Sequence, residues 1–324
     1  GYLIGGQLLR PGAMRDARAL GNFCLRRAFR ILPVYWLVLA VYVYWPAFRE
    51  APNLGPPWQL LSFTENLLVD YARNTAFSHA WSLCVEEHFY LGLPLLVLLL
   101  RRRQAGALQV GAWFAATLLF GIGIRAWAWH RELAPLQGDA WVIRYIEVIY
   151  YPTYARLDGL AAGVGLAVLQ ACRPALWERL MARGRALLGG GAVLLALAVW
   201  LFSERFGYWQ ALLGYPLLAC ALGLLVAGAA SPACWLGRRA VPGAGLVAAL
   251  SYSLYLTHKG VIHLVREQLV LPLGAGRGLA FAAYAAASLA VAALLYLLVE
   301  RPCLRLRDRL CRHRAPVLEA WRRA

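Results

Sequence analysis

Apolar runs of about 18–25 residues recur along the chain at 31–48, 82–100, 108–129, 153–171, 186–203, 209–229, 246–270 and 278–299. Each is long enough for a helix to cross the hydrocarbon core of a bilayer. The pattern predicts an all-α fold, a polytopic transmembrane helix bundle with eight complete spans. The spans at 82–100 and 153–171 carry charges in their first turns, so hydropathy alone supports them less than the others.

The basic residues test that count independently. Numbering the loops alternately, one set holds 23 of the 33 basic residues, from Arg10–Arg30 through Arg101–Arg103, Arg173–Arg185 and Arg238–Arg239 to the tail from Arg301 onward. The other set holds six: Arg49, Arg73, Arg131, Arg144, Arg205 and Arg277. A missed or false span would scramble the alternation, so the bias predicts eight crossings with both ends cytoplasmic. Residues 1–302 read as one membrane domain and 303–324 as a basic cytoplasmic tail.

Composition agrees. Of 324 residues, 61% are hydrophobic and 15% charged, and the mean hydropathy is +0.56. Soluble domains run at about 45–50% apolar and about 25% charged. Disordered tails, coiled coils and ordinary water-soluble enzymes are excluded. The net charge of +17 is mostly orientation bias, which removes nucleic acid as an expected partner and leaves the lipid bilayer. All basic residues but one are arginine, the exception being Lys259. The cysteines fall in predicted cytoplasmic segments or in spans, outside the loops where disulfides form. No Cys/His spacing suggests a metal.

Candidate chemistry lies in the ionisable groups inside spans, which are costly and mark water-filled paths or sites. They are Glu86, Glu87, His88, Arg125, Arg156, Asp158, His258, Lys259, His263, Arg266 and Glu267. Following the direction of each span, Glu86, Glu87, Arg125, Arg156 and Asp158 fall in the outer half, and His258 and Lys259 near mid-membrane. Together they predict a cavity opening outward. Glu86 and Glu87 are about 100° apart on a helix, so only one aims squarely at a given point. Arg156 and Asp158 face different ways, so each calls for a partner on another helix. Tyr252, Tyr255, Lys259, His263 and Arg266 form a polar stripe on one helix face, with His258 at its shoulder.

Several of these residues sit in recognisable motifs. Asn22–Tyr35 (NFCLRRAFRILPVY) resembles the F-x-x-R-R-x-x-R-I-x-P-x-Y helix of the acyltransferase family 3 membrane proteins. Phe77–Tyr90 (FSHAWSLCVEEHFY) is similar to that family's H-x-W-S-L-x-V-E-E-x-F-Y signature. Gly1–Ile4 resembles the end of its second helix, Ala155–Leu160 its R-x-D-x-L helix start, Ser251–His258 its S-Y-S-L-Y-L-W-H, and Val299–Pro302 its V-E-R-P. Thr257 replaces the usual Trp before His258, and Tyr154 stands where a His is common. The six motifs keep their order across residues 1–302.

This resemblance implies a bacterial inner-membrane, multi-pass O-acyltransferase with about ten spans. It would move an acyl group, usually acetyl, from cytoplasmic acyl-CoA to a hydroxyl of a carbohydrate or lipid-linked glycan, with acyl-CoA as co-substrate and no resident cofactor or metal. Arg26, Arg27 and Arg30 would meet the CoA phosphates. Glu86, Glu87, Arg156, Asp158 and His258 would form the catalytic group. His79, Trp81, Arg125 and Tyr255 would line the substrate path. The family's main His base lies in its first span, which would place it upstream of residue 1, so residues 1–324 alone are expected to be inactive. A transporter of a polar or anionic solute is the alternative that an outward cavity with buried charges also suits.

Overall fold

The computed structural model describes residues 1–10, 17–102, 107–204, 206–239 and 241–313. Arg15, Arg103, Arg205 and residues 314–324 of the predicted tail lie outside the described residues. Among those described, every extended element is helical apart from an isolated bridge between Leu54 and Ala76.

Five helical segments are long and apolar enough to cross a membrane: Ser78–Leu99, Gly111–Leu133, Gly184–Leu201, Gln210–Ala230 and Arg277–Leu310. A sixth would be the pair Asp158–Cys172 and Pro174–Ala182, bent by 113°. The bend has a local cause. Pro174 begins the second helix, and its ring drives Arg173 out of the helical region, to φ −137° and ψ 61°. The two other predicted spans are also helices of spanning length, at Ala17–Tyr44 and Ala244–Val265. Their arginines, in the first, and their His258, Lys259 and His263, in the second, dilute the apolar signal. Large apolar side chains such as Leu119, Trp200, Val247, Phe281 and Leu298 are left exposed, as on lipid-facing helices.

The chain divides into two compact units. The first comprises Gly1–Arg15, Phe63–Ala72 and Trp81–Val241, the second Asp16–Ser62, Arg73–Ala80 and Pro242–Ala324. In the first unit, helix Tyr2–Leu9 packs on Asp158–Cys172 through glycines. A Cβ on Gly163 would lie 2.5 Å from the Tyr2 nitrogen, so only glycine allows this approach. In the second unit, Ala244–Val265 packs on Arg277–Leu295 and, across Gly260, on Phe48. Helical structure continues beyond 302 to His313, so the start of the predicted tail prolongs the last span.

Candidate functional site

Predicted site residues occur in both units, and each unit holds its own constellation. In the first, the sequence reading places Arg156 within a span, but the helix begins only at Asp158. Thr153–Ala155 is a 3-10 turn, and Arg156 sits in the break with φ −127° and ψ 16°. Arg125 holds both sides of that break. Its Nη1 donates to the Ala155 carbonyl at 2.7 Å and to Asp158 Oδ2 at 2.8 Å, while Nη2 donates to Asp158 Oδ1 at 3.2 Å and to the Leu212 carbonyl at 3.2 Å. Arg125 is 0% exposed and Asp158 4%. Gly121, one turn before Arg125, leaves the room: a Cβ there would stand 3.2 Å from Nη1.

This clamp presents Arg156 to three aromatic rings. Its guanidinium carbon lies 3.9 Å from the centroid of Tyr215, 5.0 Å from Tyr150 and 5.4 Å from Trp81. Trp81 is itself held by stacking on Tyr151 at 5.3 Å and 12°. Among the described residues no carboxylate pairs with Arg156, and its buried Nη1 has no hydrogen-bond partner. A half-buried cation with one buried, unbonded donor, ringed by π faces, is built to receive negative charge.

Around it, Glu86 accepts a hydrogen bond from the Tyr90 hydroxyl at 2.9 Å, and Glu87 is half-buried on the neighbouring face. His88 Nδ1 lies 2.7 Å from Thr153 Oγ1, which also accepts from Asn66 Nδ2 at 2.8 Å. Glu65 and Asn66 are 7% and 0% exposed, and Glu65 Oε2 and Asn66 Oδ1 lack hydrogen-bond partners.

The second unit gathers the other motifs. His79 Nε2 donates to the Leu256 carbonyl at 3.1 Å, and the Tyr255 hydroxyl donates to the His79 carbonyl at 2.7 Å. The His79 and His258 rings meet edge to face at 5.1 Å. His258 Nδ1 donates to the Tyr255 carbonyl at 2.7 Å, so the neutral ring offers Nε2 as a proton acceptor. Next to it, Lys259 Nζ donates to Ser78 Oγ at 2.6 Å and lies 4.0 Å from Glu50 Oε1.

Three sequence motifs meet on the same unit. The Tyr252 hydroxyl donates to the Ile31 carbonyl, and Ser253 Oγ donates to the buried Glu300 carboxylate at 2.9 Å, within the electrostatic reach of Arg30. Arg26 and Arg30 are exposed one turn apart, and Arg27 lies over the Phe23 ring at 5.7 Å.

Thus the structure brings Trp81, Arg125, Arg156 and Asp158 together in one unit, and His79, Tyr255 and His258 in the other. The sequence reading passed over Tyr150 and Tyr215, for which spacing carries no signal. It also passed over Glu50 and Ser78, although Ser78 stands next to His79 within a quoted motif.

Comparisons with known proteins agree with these motifs. The acyltransferase family 3 profile, described as an acyltransferase domain, matches residues 1–297. The peptidoglycan O-acetyltransferase OatA of Listeria monocytogenes is 22% identical over 281 residues, covering 82% of this chain and 43% of its own. A Staphylococcus aureus (strain COL) protein provisionally named O-acetyltransferase SACOL0978 is 22% identical over 293 residues, covering 83% of this chain and 45% of its own. The chain therefore spans about half the length of these curated relatives. No solved structure matches it. With a family profile spanning nearly the whole of the described helices, the chain belongs to the acyltransferase 3 family of membrane acyltransferases.

Proposed function

We propose that the protein is an O-acyltransferase of the bacterial inner membrane, with both ends cytoplasmic and eight spans in this part of the chain. It takes an acyl group, acetyl first among them, from cytoplasmic acyl-CoA and delivers it to a hydroxyl of a carbohydrate or lipid-linked glycan. The observation that carries this reading is Arg156, a guanidinium without a carboxylate partner among the described residues and set among Trp81, Tyr150 and Tyr215. Acyl transfer develops negative charge on the carbonyl oxygen, and a preorganised, desolvated donor is what that charge requires.

The remaining residues take complementary roles. Within the second unit, the Tyr255 carbonyl holds the His258 ring in the tautomer that leaves Nε2 to accept a proton. His79 and Tyr255 wall the imidazole. Glu86 and Glu87 orient the acceptor's hydroxyl groups. Arg125 and Asp158 keep Arg156 in place. Arg26 and Arg30, exposed on one helix face, and Arg27 beside them, suit the phosphates of CoA.

The test uses membranes bearing the complete gene product, given radiolabelled acetyl-CoA and a carbohydrate-containing envelope fraction. Alkali-labile label should pass into the glycan and be lost with Arg156→Ala. A folded protein that leaves every glycan fraction unlabelled would overturn the reading.

A further inference from the structure

In a chain that uses arginine for every other cation, a single lysine, Lys259, sits with its amine 2.6 Å from a serine hydroxyl. The difference is chemical. A guanidinium keeps its protons in proteins, whereas an amine can give one up and act as a base. A lysine nitrogen at this distance from Ser78 Oγ is within the reach of a nucleophile–base pair. We infer that Ser78 and Lys259 form a nucleophilic dyad, and that Ser78 carries the acyl group as a transient ester between donor and acceptor. The inference rests on the O-acyltransferase reading above and adds to it a covalent intermediate.

Three further observations converge on the pair. Phe77, which precedes Ser78, has φ 58°, a left-handed conformation that a residue with a Cβ rarely adopts. Packing enforces it, since Phe77 is fully buried against the Tyr42 and Tyr35 rings at 4.4 and 5.8 Å. The strained residue throws Ser78 onto the first position of the Ser78–Ala80 turn, facing Lys259. Glu50 supplies the third part. Its carboxylate oxygens are buried within reach of the Tyr42 hydroxyl, and Oε1 is 4.0 Å from Lys259 Nζ. The carboxylate sets the direction of the lysine side chain beside Ser78.

The chemistry balances in two steps. Ser78 Oγ attacks the thioester carbonyl while Lys259 Nζ takes the hydroxyl proton. The C–S bond then breaks, and the proton goes to the departing thiolate, giving acyl-Ser78 and free CoA thiol. In the second step the acceptor hydroxyl attacks the serine ester. Its proton passes through His258 or Lys259 to Ser78 Oγ as the C–O bond to serine breaks, which restores the dyad. Ser78 is 8% exposed, which shelters the ester from water.

The decisive experiment incubates the complete protein in detergent with acetyl-CoA and no acceptor, quenches in acid, digests, and weighs the peptide holding Ser78. One acetyl group should be found on Ser78 and should disappear when a hydroxyl acceptor is added. Ser78→Ala should remove the adduct and cut transfer by on the order of a hundredfold. Lys259→Arg, which keeps the charge but not the removable proton, should slow adduct formation by a similar factor. Ser78→Cys should move the acetyl group onto sulfur as a thioester, which keeps the test open if Ser78→Ala misfolds. Transfer within about twofold of the wild type in folded Ser78→Ala would overturn the dyad and leave the O-acyltransferase reading intact. A folded wild type inert to acyl-CoA would overturn both.

Discussion

The Arg156 guanidinium carbon lies 3.9 Å from the centroid of the Tyr215 ring, and the two are joined by no carboxylate. Most membrane-embedded cations are neutralised by a neighbouring acid, as Arg125 is by Asp158. Arg156 is instead held by π faces, which stabilise the cation without occupying its donors. Replacing Arg156 with alanine should therefore lower kcat by about 10²–10³, the usual cost of losing an oxyanion donor. Lysine should rescue little, because a compact ammonium cannot lie flat between rings or offer a planar fork. Tyr215→Leu should cost less, about tenfold, the equivalent of one desolvated cation–π contact. Steady-state kinetics on the three variants check this; unchanged kcat in Arg156→Ala would remove Arg156 from the chemistry.

The Arg125–Asp158 pair should behave as a structural element. Both partners are almost fully buried and joined by two hydrogen bonds, so removing one charge strands the other. Asp158→Asn is expected to cost about 3–5 kcal/mol, read as a lower melting temperature in detergent. The double variant Arg125→Met with Asp158→Leu should be more stable than either single variant, since no lone charge remains. A double-mutant cycle on melting temperature measures the coupling. Additive losses would mean that the two side chains act independently.

Hydropathy was enough to find the helices of both units, because lipid-facing positions need no exact partners and any long apolar run serves. It failed at the edges, where a few residues matter. Arg156 was read inside a span, yet the helix starts two residues later, because Arg125 pins the Ala155 carbonyl and Asp158 on either side of the break. Motif matching reached Arg156, His79 and His258 because each belongs to a short continuous segment. Tyr215 and Arg156 are far apart in the chain, as are Ser78 and Lys259, separated by 181 positions. No period or local spacing encodes such pairs; only tertiary packing brings them together. The lone lysine was visible as a compositional oddity, but its meaning depended on the serine that the fold places beside it.

Glu65 yields a prediction about pH. It lies in the loop between the predicted spans at 31–48 and 82–100, is 7% exposed, and its Oε2 lacks a hydrogen-bond partner. Burial alone pushes its carboxyl up to about 8 from 4.5. The folded protein thus holds a proton that the unfolded chain releases near pH 4.5. Below that pH both states are protonated and Glu65 costs nothing. As pH rises from about 4.5 to about 8, the unfolded state gains ionisation free energy that the folded state does not, so stability falls across that window. At about 1.4 kcal/mol per pH unit, the loss is of the order of a few kcal/mol by pH 8. Glu65→Gln keeps the shape and the neutral state at every pH. It should melt at the wild-type temperature near pH 4, melt higher than the wild type at pH 8, and show a flatter melting-temperature profile between the two. Parallel profiles for the two proteins would mean that Glu65 is ionised in the folded state.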